Sequence, residues 1–186
     1  HTQIYPQPGW VEHDADEIYR NTVAAIRSLT RETPAALTAI GLSITNQRET
    51  IVVWDAESGK PLHNAIVWQD RRGDPFCQAL LQSAEGARNQ RLVRERTGLR
   101  IDTYFPASKL RWLQDNFPNI KQKLADGTAL FGTVDSWLIY RLTDGAVYAT
   151  DVTNASRTLL FDIDELAWSA ELADLFGLTI ARFPNV

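Results

Sequence analysis

The sequence predicts an α/β fold, a sheet with helices packed on it, and three observations carry that expectation. Short apolar stretches of strand composition alternate along the chain with amphipathic stretches of helical spacing. The helical stretches are bounded by capping residues, prolines and glycines at the positions each type favours. No repeat, low-complexity tract or Gly/Ser linker divides the 186 residues, a length that suits one sizeable core.

The first helix is predicted to open with Asp14 as N-cap and Glu17 completing a capping box, burying Ile18, Val23, Ala25, Ile26 and Leu29 along one side. Pro34 closes the segment after it. Residues 38–44 are apolar at nearly every position from Thr38 to Ile44, the pattern of a strand buried on both faces. The chain then turns polar over Thr45-Asn-Gln-Arg-Glu-Thr50. Ile51-Val-Val-Trp54 and Ala65-Ile-Val-Trp68 flank Asp55-Ala-Glu-Ser-Gly59-Lys-Pro61, whose turn chemistry suits a hairpin or meander. Asp74 as N-cap and Pro75 at the first helical position open a helix through Cys77, Leu80 and Leu81, and a further helix stops at Gly98. Ser108 is expected to cap a short helix bearing Leu110, Trp112 and Leu113. After a strand near Ala129-Leu-Phe131, Thr133 opens a helix with Val134, Trp137, Leu138 and Leu142 on one face, ended by Asp144-Gly145. Ser169 and Gly177 bracket the last helix.

Composition excludes several function classes. Against 23 Asp+Glu stand 19 Lys+Arg, a net charge of −4 with no block of like charge, so no basic face offers itself to nucleic acid or an anionic membrane. The apolar runs fall far short of the roughly 20 residues that span a bilayer, and the first stretch is too polar for a secretory signal. The single cysteine, Cys77, suits a reducing compartment and is read as a packed core thiol. The chain holds no methionine and opens at His1, so a processed or partial polypeptide is expected.

Familiar phosphate and metal motifs are missing. Gly127 and Gly132 have P-loop spacing, but Thr133-Val134 follow where Lys-Ser/Thr is required, and no dinucleotide fingerprint occurs. His1, His13 and His63 have no metal-ligand spacing, and His63 is read as a solvated turn residue.

The candidate site residues lie at the boundaries between apolar strands and polar loops, where α/β sheets bind ligands. A guanidinium donates and a carboxylate accepts, so the neighbours Arg48 and Glu49 can hold both hydroxyls of a vicinal diol; a surface ion pair is the alternative. Trp68 ends an apolar strand before Gln69-Asp70-Arg71-Arg72, and its face suits the carbon side of a small polyol; a core tryptophan is the alternative. Tyr104 offers a hydroxyl to the same ligand, unless it packs only on Phe105. Asp135, Asp151 and Asn154 are assigned to capping and turns.

The stretch Tyr104-Phe-Pro-Ala-Ser-Lys109-Leu-Arg-Trp112-Leu-Gln-Asp-Asn116 resembles the first signature of the FGGY carbohydrate kinases. Further segments are similar to those of the branch that acts on glycerol. They are Thr2-Gln-Ile-Tyr-Pro6, Pro8-Gly-Trp-Val-Glu-His-Asp14, Ile44-Thr-Asn-Gln-Arg-Glu-Thr50, Ala65-Ile-Val-Trp-Gln-Asp-Arg-Arg72, Phe131-Gly-Thr-Val-Asp-Ser-Trp137 and Thr153-Asn-Ala-Ser-Arg-Thr158. Departures are Thr103 and Pro106, where Pro and Ser are expected, and a slightly long segment from Arg72 to Thr97.

The resemblance implies an actin-like, RNase H-related mixed sheet with flanking helices, in a two-domain kinase with polyol and ATP meeting between the domains. Residues 1–186 would be part of the N-terminal, polyol-binding domain. The Asp-x-Gly-Thr phosphate segment would precede His1, and the general-base aspartate and the nucleotide domain would follow Val186. Arg48 and Glu49 would bind the hydroxyls, Trp68 would line the pocket and Tyr104 would bond a hydroxyl. The implied reaction is Mg²⁺-dependent phosphoryl transfer from ATP to glycerol. The alternatives are another polyol, a ketose such as xylulose, or a non-catalytic module that kept the pocket. A cytoplasmic homo-oligomer is implied for the whole protein, and these residues alone would be inactive. The fold also implies that the strand at Thr38–Ile44 has lost its partners, leaving a hydrophobic edge that is poorly soluble or covered by a second copy.

Overall fold

The computed structural model describes residues 1–33, 35, 38 and 41–186. Five strands form one sheet in the order β1-β2-β4-β3-β5: β1 (Gln3–Ile4), β2 (Glu12–His13), β3 (Ile51–Asp55), β4 (Ala65–Ile66) and β5 (Ala129–Thr133). Every ladder among these described strands is antiparallel. The central strand β3 is paired on both edges and all but its last residue is buried. Side chains alternate across a strand, so Ile51 and Val53 enter one hydrophobic core while Val52 and Trp54 enter another.

The first and larger core is closed by α2 (Asp74–Gln82), α3 (Gly86–Thr97), α4 (Pro106–Asn116), α5 (Pro118–Asp126) and α8 (Ala170–Leu175). The opposite face carries α1 (Ala15–Glu32) and α6 (Val134–Leu142), with Trp54 edge-on to Trp137 at 5.4 Å between ring centroids. A short helix, α7 (Val152–Ala155), and a hairpin of β6 (Phe161–Asp162) with β7 (Ala167–Trp168) complete the chain. Gly132 lets β5 run straight into α6: a Cβ there would stand 2.5 Å from the Cβ of Ser136.

Several local expectations hold for local reasons. Gly98 ends α3 in the left-handed region at φ +70°, and Ser169 caps α8 by accepting from the Leu172 N–H at 3.2 Å. Asp14 caps α1 by accepting from the Asp16 N–H at 2.9 Å. Other expectations are corrected. Glu17 accepts from the Thr2 N–H at 3.1 Å instead of closing a capping box. Leu29 is 57% exposed, so the apolar stripe of α1 is covered only in part. Asp74 lies inside α2, whose N-cap is Gly73, because Arg71 holds its carboxylate at 2.8 Å. Ser108 lies inside α4, where Pro106 fixes the first turn and Phe105 is the N-cap.

The doubly buried strand expected at residues 38–44 is also corrected. Ala39 and Ile40, like Pro34, lie outside the described residues, while Gly41 to Ile44 make no ladder and Leu42 is 64% exposed. A strand needs a neighbour to satisfy its backbone, and both edges of β3 are taken by β4 and β5. Among the described residues, the bare strand edge expected there is therefore not formed. His63 is not a solvated turn residue: its side chain is 15% exposed, with its ring 5.3 Å from Phe117 and Nε2 3.9 Å from Glu12. Cys77 is buried as expected, and burial pushes its thiol up to about 11.

A buried ionic knot joins β2 to the loop after β4. Arg72, fully buried, donates to Glu12 at 2.7 Å and to both Asp70 oxygens at 2.9 and 2.8 Å. Asp70 also accepts the Val11 N–H at 2.7 Å and the Arg72 N–H at 2.9 Å. The guanidinium packs against the rings of Trp10, at 4.1 Å, and Trp112 of α4, at 4.6 Å, which themselves meet edge to face at 5.0 Å.

Two predictions follow from these contacts. Removing one partner of a buried pair strands the others, so Arg72→Ala lowers unfolding free energy by about 3–5 kcal/mol in urea denaturation; a change under about 1 kcal/mol refutes the account. At the end of β3, Asp55 accepts from Lys123 Nζ at 2.7 Å and from the Ser58 N–H at 2.9 Å, which hold its carboxyl well below its ordinary 3.8. A depressed carboxyl stabilises the fold above its unfolded value and loses that contribution as pH falls through its folded value. Asp55→Asn therefore lowers the urea midpoint at pH 7, and the gap from the parent narrows on acidification below pH 3.8.

Candidate functional site

Register brings the candidate segments to one end of the sheet. Ile51 pairs with both Ile66 and Thr133, so the start of β3 lies beside the ends of β4 and β5. Glu49 precedes β3, Trp68 follows β4, and Asp135 stands in the first turn of α6 after β5.

Trp68 lies in a tight turn closed by the Asp70 N–H donating to Val67 O at 3.0 Å, directly beside the Arg72 knot. The loop before α4 carries Tyr104, whose ring is 5.3 Å from that of Trp68 and 5.2 Å from that of Phe105. Asp102 accepts the Tyr104 N–H at 2.8 Å. From inside α4, the fully buried Lys109 ammonium donates to the carbonyls of Thr103, Tyr104 and Phe105. Burial lowers its pKa to about 8, against the pull of Asp70 and other anions, which leaves it mostly protonated at neutral pH. Three carbonyls need three donors, and the ammonium supplies them.

Arg48 and Glu49 form a turn closed by the Thr50 N–H donating to Gln47 O at 3.2 Å. Asp135 anchors the approach to this turn: it accepts from Asn46 Nδ2 at 3.3 Å and Thr150 Oγ1 at 2.6 Å, and also from Thr133. Glu49 is 6% exposed and accepts from Arg157 Nε at 2.7 Å. The Arg157 guanidinium lies 5.0 Å from the centre of the Phe105 ring. Arg48 is exposed and makes no hydrogen bond or ion pair among the described residues.

The structure thus links three of the four candidates through contacts, Glu49 to Arg157 to Phe105 to Tyr104 to Trp68, and leaves Arg48 next in sequence to Glu49 without a hydrogen bond or ion pair among the described residues. A recess of about 550 Å³ opens beside them, lined by Tyr104, Arg157, Asp102, Arg71, Arg94 and Arg100 among others. A separate concavity of about 250 Å³ between the 55–59 turn and the end of α6 contains none of the candidates. Asp151 caps α7, accepting from the Thr153 N–H at 2.7 Å and from Asn154 Nδ2 at 2.6 Å, as its assignment to capping requires.

Sequence reasoning passed over Arg157 and Lys109 as site residues. Both stand in segments quoted for the family resemblance, which was the available signal. Nothing local distinguishes a buried cation from a solvated one. Among the described residues no group of three or more His, Cys, Asp or Glu side chains is placed to hold a metal ion, and no helix is long and apolar enough to cross a membrane.

With this geometry in hand, the chain can be set beside known proteins. It is 50% identical over 188 residues to glycerol kinase of Halorhodospira halophila, an alignment that covers all of this chain and 36% of that protein. A crystal structure of Plasmodium falciparum glycerol kinase with ADP superimposes with a TM-score of 0.86 at 41% identity, over 97% of this chain and 35% of that one. That of a xyloylose kinase from Brucella ovis superimposes with a TM-score of 0.83 at 27% identity, over 99% of this chain and 35% of that one. The shared architecture is the actin-like, ribonuclease H-related α/β fold. The chain spans a little over a third of the length of these relatives. The profile of the FGGY family of carbohydrate kinases, N-terminal domain, matches residues 1–186, and the protein belongs to that family.

Proposed function

We propose that residues 1–186 are the polyol-binding part of a two-domain kinase that transfers the ATP γ-phosphoryl group to glycerol. The observation that carries this reading is the run of contacts from Glu49 through Arg157 and Phe105 to Tyr104 and Trp68 at one end of the sheet. The similarity to glycerol kinases over the whole chain supports it.

In this reading the residues do the work of positioning. Glu49 keeps one carboxylate oxygen without a partner among the described residues, available to accept from a hydroxyl. Arg48, unpaired beside it, donates to the neighbouring hydroxyl oxygen. Trp68 and Tyr104 form an apolar wall with one phenolic hydroxyl, suited to a short carbon chain that carries hydroxyls. Holding an alcohol in line with a phosphoryl donor supplies much of the catalysis in phosphoryl transfer, which needs little covalent chemistry from the protein. Mg²⁺ and the triphosphate belong to the same proposal, and the described residues offer no group of three or more His, Cys, Asp or Glu side chains to hold the ion. The single buried thiol, Cys77, is in keeping with a cytoplasmic enzyme.

A ketose kinase is the second reading, favoured by the similarity to the Brucella ovis enzyme. Phosphorylation of glycerol, erythritol, ribitol and xylulose by the full-length protein separates the two: the proposal expects the highest kcat/KM with glycerol and fails if xylulose takes that place. A hydrogen bond to a charged group contributes about 1.5–3 kcal/mol, so Arg48→Ala lowers kcat/KM for glycerol by at least about tenfold with Tm unchanged. An unaltered kcat/KM removes Arg48 from the site.

A further inference from the structure

We infer that Arg157 is a positioning residue for the polyol: it holds the Glu49 carboxylate in one orientation and ties it to the aromatic wall that Tyr104 forms. The inference rests on the reading of Glu49 as a hydroxyl acceptor.

A carboxylate as buried as Glu49 is costly without a charged partner. Arg157 supplies that partner in an asymmetric way. Only its Nε bonds Glu49, at 2.7 Å to Oε1, so the second carboxylate oxygen is not consumed by a two-point fork. A bidentate pair would have engaged both oxygens; here one oxygen keeps its full acceptor capacity for a hydroxyl. The side chain is 25% exposed and lines the recess shared with Tyr104, so it stands at the site and not beneath it.

The guanidinium carbon lies over the Phe105 ring, 5.0 Å from its centre, which limits where Nε can be, and Phe105 is both the N-cap of α4 and the ring against which Tyr104 packs. The backbone on the Arg157 side is held as well. Asp151 caps α7, the Arg157 N–H donates to Asn154 O at 3.0 Å, and Thr158 O accepts the Ala107 N–H at 3.1 Å, which joins this turn to α4. Arg157 is therefore a strut between the carboxylate and the phenol, two groups that come from loops 55 residues apart in the chain.

A lysine in its place keeps the charge and loses the guanidinium over the ring; a glutamine loses both. In the full-length kinase, Arg157→Gln is expected to raise KM for glycerol by at least about tenfold while KM for ATP stays within about twofold, and Arg157→Lys to fall between Gln and the parent. The decisive measurement is the cycle with Glu49→Gln. If Arg157 works through Glu49, Arg157→Gln costs much less kcat/KM in the Glu49→Gln background than alone. Full additivity overturns the inference, as does an unchanged glycerol KM in Arg157→Gln. An equal rise in both KM values assigns Arg157 to the fold and likewise overturns it. If Arg157→Gln does not fold, the same cycle is read with Arg157→Lys. A Glu49→Gln enzyme with parental kcat/KM overturns the reading of the site itself, which distinguishes that failure from the failure of Arg157 alone.

Discussion

The guanidinium of Arg72 is the constraint on which the candidate site depends. It lies inside the protein with two carboxylates from different parts of the chain and two indoles that meet edge to face beside it. Burying three charges brings little net stability, because desolvation consumes most of the Coulombic gain. What it brings is geometry. With Asp70 also accepting backbone N–H groups of Val11 and Arg72, the loop after β4 has one low-energy path, and Trp68 rides on that path. Trp112 extends the same constraint to α4, the helix that carries Lys109 and follows Tyr104.

A second buried cation works differently. Among the described residues Lys109 faces no carboxylate at bonding distance; its ammonium is spent on the carbonyls of Thr103, Tyr104 and Phe105. The Thr103 and Tyr104 carbonyls lie before the helix that starts at Pro106 and outside its ladder, and the ammonium gives them donors. The lysine of the family signature is thus a backbone clamp here, and the chemistry it serves is the placement of the phenol two residues before the helix. Arg157 completes the set from a third direction, over the ring of Phe105.

The sheet explains why these distant segments meet. Because Ile51 is paired with Ile66 and Thr133 at once, one end of three strands becomes a common rim. The interior of the sheet is given over to packing on both faces, with Trp54 and Trp137 on one side and Phe131 and Leu110 on the other. Polar chemistry is confined to the rim, where loops can satisfy it and a ligand can reach it.

Elements with local signals are legible in the sequence: the hairpin strands around residues 51–66, the strand near Phe131, the glycine stop at Gly98 and the serine cap at Ser169. It also marked Arg48, Glu49, Trp68 and Tyr104 as candidates, because each stands where an apolar run or a signature gives way to polar loop. Tertiary structure decided whatever depends on a partner far away in the chain. The apolar run ending at Ile44 has strand composition yet no strand over Gly41 to Ile44, since a ladder is a property of two segments and composition describes one. Arg72, Lys109 and Arg157 look like any solvated cation until the fold removes water from around them. Which charges are buried, and hence which are held still, is set by packing between segments and is written in no single stretch of residues.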